Sequence, residues 1–167
     1  MNLLRFDMKT QTTITEITSE DLVNLLSGAL YGSNYLSADY DDETEIGDCY
    51  EEIMARILLN GGQINITDHY AEDGEVYGNL SCKVDEDEDG NLTTTYFVTL
   101  EDIKEGLQRA ADGTFNTRSD VSADFSDGNT GFARRSFNAF AFDERDWDAI
   151  TADCLMQIIL FDEVVYG

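Results

Sequence analysis

Apolar residues recur along this chain with two periods, one near 3.6 residues and one near two. The helical period is clearest at the C-terminal end. Across 146–167, Trp147, Ile150, Cys154, Leu155, Ile158, Ile159 and Phe161 fall at spacings of three, four and seven, which gathers them on one broad helical face. Asp146 is placed to cap that helix, and Asp148 adds negative charge where the helix dipole favours it. A face of this width has to be covered, so the helix is expected to be the central packing element.

The same reading gives the remaining elements in order. Partial alternation of β-branched residues predicts a strand over 10–17. A helix follows, capped by Thr18 or Ser19, with Glu20 and Asp21 in its first turn, an apolar face from Leu22 to Leu30, and Gly32 as its stop. The stretch 35–47 reads as an exposed loop. A second helix is expected from Asp48, with Ile53, Met54, Ile57 and Leu58 inward and Asn60, Gly61 and Gly62 ending it. Strands are expected over 63–67, 76–84 and 92–100, the last two as a hairpin. Thr99 and Asp102 then form a capping-box pattern ahead of a helix carrying Ile103 and Leu107, broken at Asp112 and Gly113. Residues 114–131 lack periodicity and predict a loop or mobile insertion. Phe132, Phe137, Phe140 and Phe142 beyond it are expected to pack over the core. The whole is an α+β fold, one domain over 1–167, with a small antiparallel sheet packed against three or four helices.

Charge changes this picture more than composition does. The 167 residues hold 35 Asp and Glu against 10 Lys and Arg, a formal net charge of −25. A folded monomer of this mass exposes roughly 8,300 Å², or about one carboxylate per 240 Å². Such a surface repels nucleic acid, anionic lipid and acidic proteins, and attracts basic ones. Arg134 and Arg135 are the only adjacent basic pair, too little for a nucleic-acid patch. Cys49, Cys82 and Cys154 are odd in number and widely spaced, which fits neither a metal site nor a disulfide framework. With no bilayer-spanning run and no leader-like start, a soluble protein of a reducing cytoplasm is expected. Proline is absent, so turns fall to Gly, Asn and Asp.

Few local motifs point to chemistry. Residues 85–92 reproduce the first half of an EF-hand loop: Asp85, Asp87, Asp89 and Asn91 as oxygen donors, with Gly90 at the turn position. Tyr96 stands where the bidentate Glu belongs, and the flanks read as strands, so any calcium binding here is expected to be weak. An ordinary solvated hairpin turn has the same sequence. His69 beside Asp68 is a conceivable general base, but with no partnered nucleophile or metal set a surface histidine is the better explanation. Paired carboxylates are one route to glycoside hydrolysis, but with 35 acids suitable spacings arise by chance. Gly61-Gly62 lacks the Lys of a phosphate loop.

The acidic clusters remain. One spans 39–52 with eight carboxylates, of which Asp39, Asp41, Asp42, Glu43, Glu45, Asp48, Glu51 and Glu52 lie beside Tyr40 and Tyr50; the other spans 68–89 and includes Asp68, Glu72, Asp73 and Glu75. Duplex DNA presents a phosphate about every 3.4 Å along each strand, and its binders line their grooves with Lys and Arg. A rigid acidic protein can occupy such a groove, with tyrosines serving as interface anchors.

Three stretches carry a family resemblance: Leu25 to Tyr35 (LLSGALYGSNY), Thr99 to Leu107 (TLEDIKEGL), and 146–167 with its terminal EVVYG. Together they resemble a family of small acidic proteins encoded by bacteriophages and mobile elements, from whose pattern Leu36 and Asp162 depart. The family has no established activity and therefore supplies no catalytic residues. The resemblance implies a phage or prophage origin, in which DNA-mimicking anti-restriction and anti-CRISPR proteins have similar size and acidity. The expectation is thus a non-enzymatic, cofactor-free inhibitor in the host cytoplasm. It would block the nucleic-acid groove of a basic defence protein such as a Cas effector or restriction enzyme. The alternatives are an accessory interaction module whose acidity gives solubility, with weak calcium binding at 85–91, and a carboxylate-dependent hydrolase.

Overall fold

The computed structural model describes Ile14 and residues 16–41, 49–71, 74–112, 114–115 and 147–166. Its elements are α1 (Ser19–Leu30), β1 (Leu36–Asp39), α2 (Tyr50–Leu59), β2 (Gln63–Asp68), β3 (Cys82–Glu86), β4 (Leu92–Thr99), α3 (Leu100–Asp112) and α4 (Ala149–Phe161). The four strands form one antiparallel sheet in the order β1-β2-β4-β3. This is the expected α+β class, with four helices among the described residues. No helix among the described residues is long and apolar enough to cross a membrane.

Strand alternation decides which face the helices cover. Leu36 on β1, Ile64, Ile66 and Asp68 on β2, and Thr94, Tyr96 and Val98 on β4 point inward and are buried. The intervening residues are Ser37, Asp39, Asn65, Thr67, Thr95, Phe97, Lys83 and Asp85. They lie on the opposite face, as an antiparallel sheet covered on one side requires. Thr67 and Thr95, paired across strands, join hydroxyls at 2.8 Å on that outer face.

The helix expected to be central is central, and more deeply buried than its periodicity implies. Every residue of α4 from Leu155 to Phe161 is buried, Gln157 included. A helix apolar all round must be enclosed on several sides. Glycine notches on its neighbours provide two of them. A Cβ on Gly28 of α1 would come 2.5 Å from the Ala152 Cβ, and one on Gly106 of α3 would come 2.7 Å from the Ile159 Cα. Phe161 reaches β4, its ring 5.6 Å from that of Tyr96. Burial of each such side chain stabilises the fold by roughly 1.5–3 kcal/mol relative to exposure.

Caps follow the sequence closely at two helices. Thr18 and Asp21 form a reciprocal capping box on α1, and Asp102 and Thr99 do the same on α3. Elsewhere the structure corrects the sequence reading. Asp148, not Asp146, caps α4: its Oδ1 accepts from Thr151 N at 2.7 Å, while Asp146 lies outside the described residues. Trp147 therefore precedes the helix, and Ile150 in its first turn is 71% exposed rather than inward. The stretch expected as a loop over 35–47 contains β1, whose Ser, Ala and Asp give no strand signal and which owes its conformation to pairing with β2. The helix expected from Asp48 starts at Tyr50 with Cys49 at its cap. Of the strand expected over 76–84 only Cys82 onward is paired, because Gly78, at φ 72°, turns the chain over the C-terminal end of α4. Positions 10–13 of the expected first strand are outside the described residues, and Ile14 and Ile17 are buried without joining a strand. The four Phe between 132 and 142, Arg134 and Arg135 also lie outside the described residues, as does the expected loop beyond the buried Phe115.

Candidate partner-binding surface

The acidic residues fall into three environments. The first is the corner where β1 leaves the sheet and α2 begins. Asp39, Asp41 and Glu52 are exposed there, and Glu51 is half-buried. Tyr40 and Tyr50 stack between them, ring centroids 5.1 Å apart at 45°. The Tyr50 hydroxyl donates to the Ala38 carbonyl, which fixes the aromatic pair against the strand. Burial, then the charge of Asp39, raises the Tyr50 pKa, so this donor keeps its proton. Asp42, Glu43, Glu45 and Asp48 lie outside the described residues.

The second environment is the β3–β4 hairpin, where Asp85 to Asp89 are all exposed. Asp87 closes the turn. Its Oδ1 accepts from Asp89 N at 2.9 Å and Asn91 N at 2.8 Å, and its Oδ2 from Asn91 Nδ2 at 3.1 Å. The Asn91 side chain and these amides hold its pKa below the ordinary carboxylate value. Gly90, at φ 84°, supplies the left-handed residue of the turn. Asp85 pairs with Lys83 at 3.1 Å. The residues of the EF-hand-like pattern thus serve a hairpin, and no cluster of three or more metal-ligating side chains occurs among the described residues. Glu75 is exposed nearby and accepts from the Tyr77 hydroxyl. Glu72 and Asp73 lie outside the described residues.

Asp68 occupies the third environment and must be removed from the surface set. It is fully buried, because the even alternation of β2 turns it to the helix side with Ile64 and Ile66. Its oxygens accept from Tyr70 N at 2.9 Å and the Tyr166 hydroxyl at 2.9 Å. Desolvation raises its pKa, partly offset by those two bonds. The network continues through the C-terminal tail. Gln157 Oε1 accepts from Val165 N and Tyr166 N, and its Nε2 donates to the Tyr166 carbonyl and to Asp153, which in turn accepts from the Tyr35 hydroxyl. The Tyr35 and Tyr166 rings lie 4.6 Å apart. Desolvation, reinforced by the carboxylates, raises the pKa of both tyrosines. Sequence reasoning missed this assembly. Its visible signals were Asp153 and Gln157, polar residues four apart in a largely apolar helix.

His69 is exposed and its Nε2 meets Ser37 Oγ at 2.7 Å on the outer face. Among the described residues no carboxylate hydrogen-bonds its other ring nitrogen, so the orienting third member of a Ser–His nucleophile is not assembled there. Cys49, Cys82 and Cys154 are free thiols, and burial lifts that of Cys154 to about 11, away from reactivity.

Pairing places Asp39 and Asp85 on the same outer face, three strand spacings across and four residues along, about 19 Å apart by sheet geometry. The chain matches no protein-family profile, no curated protein and no solved structure.

Proposed function

We propose that this protein is a non-enzymatic inhibitor that presents an acidic, nucleic-acid-like surface to the groove of a basic nucleic-acid-binding protein, of the kind found in bacterial defence systems. The observation that carries the reading is the corner where the exposed Asp39, Asp41 and Glu52 and the half-buried Glu51 adjoin the Tyr40–Tyr50 pair in the chain. Carboxylates give long-range attraction to Lys and Arg, while rigid aromatics give contact area with little entropy to lose. The resemblance of three stretches to phage-encoded acidic proteins supports the same reading, since a protein of phage origin would have host defences as its targets.

The test is capture from a bacterial lysate with the purified protein as bait, washed at low and then high salt. Retention of a nucleic-acid enzyme that duplex DNA displaces is the expected outcome, and charge reversal at Asp39, Asp41, Glu51 and Glu52 should abolish it. Undiminished capture by the charge-reversed protein would remove this corner from the interface, and no capture by the native protein even at low salt would leave its acidity to solubility alone.

A further inference from the structure

The two edges of the sheet are finished differently. On β1 the His69 N–H donates to the Tyr35 carbonyl at 2.8 Å, so Tyr35, Ser37 and Asp39 bond to β2 while Leu36 and Ala38 turn their backbone groups outward. Two of those four outward groups are taken by side chains. Leu36 N–H donates to Ser33 Oγ at 3.1 Å, and the Ala38 carbonyl accepts from the Tyr50 hydroxyl. Ser33 and Tyr50 thereby obstruct this edge at both of its outward-facing residues.

On β3 the Phe97 N–H donates to the Ser81 carbonyl and the Asp87 N–H to the Asn91 carbonyl, which puts Lys83 and Asp85 in register to bond with β4. Cys82, Val84 and Glu86 therefore turn N–H and C=O outward. No described strand pairs with them and no described side chain is bonded to them. The edge is exposed from Lys83 to Glu86, Val84 being 42% exposed, and it runs straight into the acidic turn.

We propose that the outer edge of β3 is a strand-addition site for an extended, basic segment of a partner protein. Backbone bonds to Val84 and its neighbours supply the register. In an added strand the residue opposite Val84 shares its helix-side face, whereas those opposite Lys83 and Asp85 lie on the outer face and those beyond meet Asp87 and Asp89. The segment that fits sets an apolar residue opposite Val84 and basic residues opposite Asp85 and Asp87, toward the acidic turn. A second copy of this chain fits less well. Two-fold pairing about Val84 sets Lys83 opposite Asp85, but it also brings together two chains of −25 each. The inference shares with the proposed function only the basic character of the partner, and its test involves no nucleic-acid enzyme, so the two fail separately.

The probe is a capped octapeptide of alternating Lys and Val, compared with the same peptide N-methylated at every backbone amide. The charge is equal, and the N–H donors that strand pairing needs are lost and replaced by obstructing methyl groups. With the full chain, the unmodified peptide should slow amide exchange at Val84 and Glu86 at least tenfold and bind at least tenfold more tightly than its N-methylated form by calorimetry. Val84→Pro, which removes an outward N–H and no bond to β4, should weaken the unmodified peptide by a similar factor. Equal binding of the two peptides without exchange protection would reduce the site to ionic attraction and overturn the proposal. So would protection that grows with protein concentration alone, which would assign the edge to a second copy.

Discussion

A buried carboxylate bonded only to neutral donors is a titration problem before it is a structural one. Asp68 holds its proton to a higher pH in the folded protein than in the unfolded chain, because desolvation outweighs the bonds from Tyr70 and Tyr166. Its contribution to stability is therefore complete below the unfolded value of 3.8 and is lost as pH rises through the folded one. Asp68→Asn keeps one acceptor oxygen and cannot ionise, so the Tyr166 hydroxyl has only to turn and accept from the amide. Measured by urea unfolding, the variant should gain on the native protein by up to about 1.4 kcal/mol per pH unit across that window, then run parallel to it. A difference independent of pH between 4 and 7 would show that Asp68 does not titrate there. Asp68→Ala, in contrast, leaves the hydroxyl of the half-buried Tyr166 without its partner and should cost about 1–3 kcal/mol in acid as well.

Among elements, those whose signal is local were legible in the sequence, and those fixed by pairing were not. The box at Thr99–Asp102, the cap at Thr18 as one of two candidates, and the apolar run of α4 beyond its first turn depend on neighbours three or four residues away, and these were legible. β1 was missed because Leu36–Asp39 is short and made of weak strand formers, held by a partner some thirty residues on. Asp68 was misplaced for the same reason. Its acidity argued for the surface, and only the register of β2 shows that it faces inward. The acidic corner was legible as composition, but not the Tyr40–Tyr50 contact that organises it. The close approach of α1 to α4 was equally invisible, since Gly28 and Ala152 carry no pattern of their own. That contact can be tested by moving the notch. Gly28→Ala should destabilise the protein by about 1–3 kcal/mol through overpacking, although Ala is the better helix former. Adding Ala152→Gly should restore most of the loss, as followed by the urea midpoint. Equal midpoints for the single and double variants would show that the helices separate freely at this point.

Over the whole molecule, salt should act on folding and on binding with opposite sign, and that opposition separates a functional acidic surface from one that is merely soluble. A chain of −25 repels itself most when compact, so screening stabilises the fold. The same screening weakens attraction to a basic partner. Between 0.05 and 0.5 M NaCl the urea midpoint should therefore rise while affinity for a captured partner falls steeply. The outer face adds a geometric condition. Asp39 and Asp85 lie about 19 Å apart by strand spacing, and the Debye length at 0.1 M salt is about 10 Å, so the two acidic corners act as separate electrostatic sites. If a single broad groove covers both, reversing the charges at Asp39 and Asp41 and reversing those at Asp85 and Asp89 should each weaken binding, with effects that add in free energy within about 0.5 kcal/mol. Loss confined to the first pair would place the partner on the β1–α2 corner alone. Loss confined to the second would move the interface to the hairpin, where the exposed edge of β3 is the structure available to receive it.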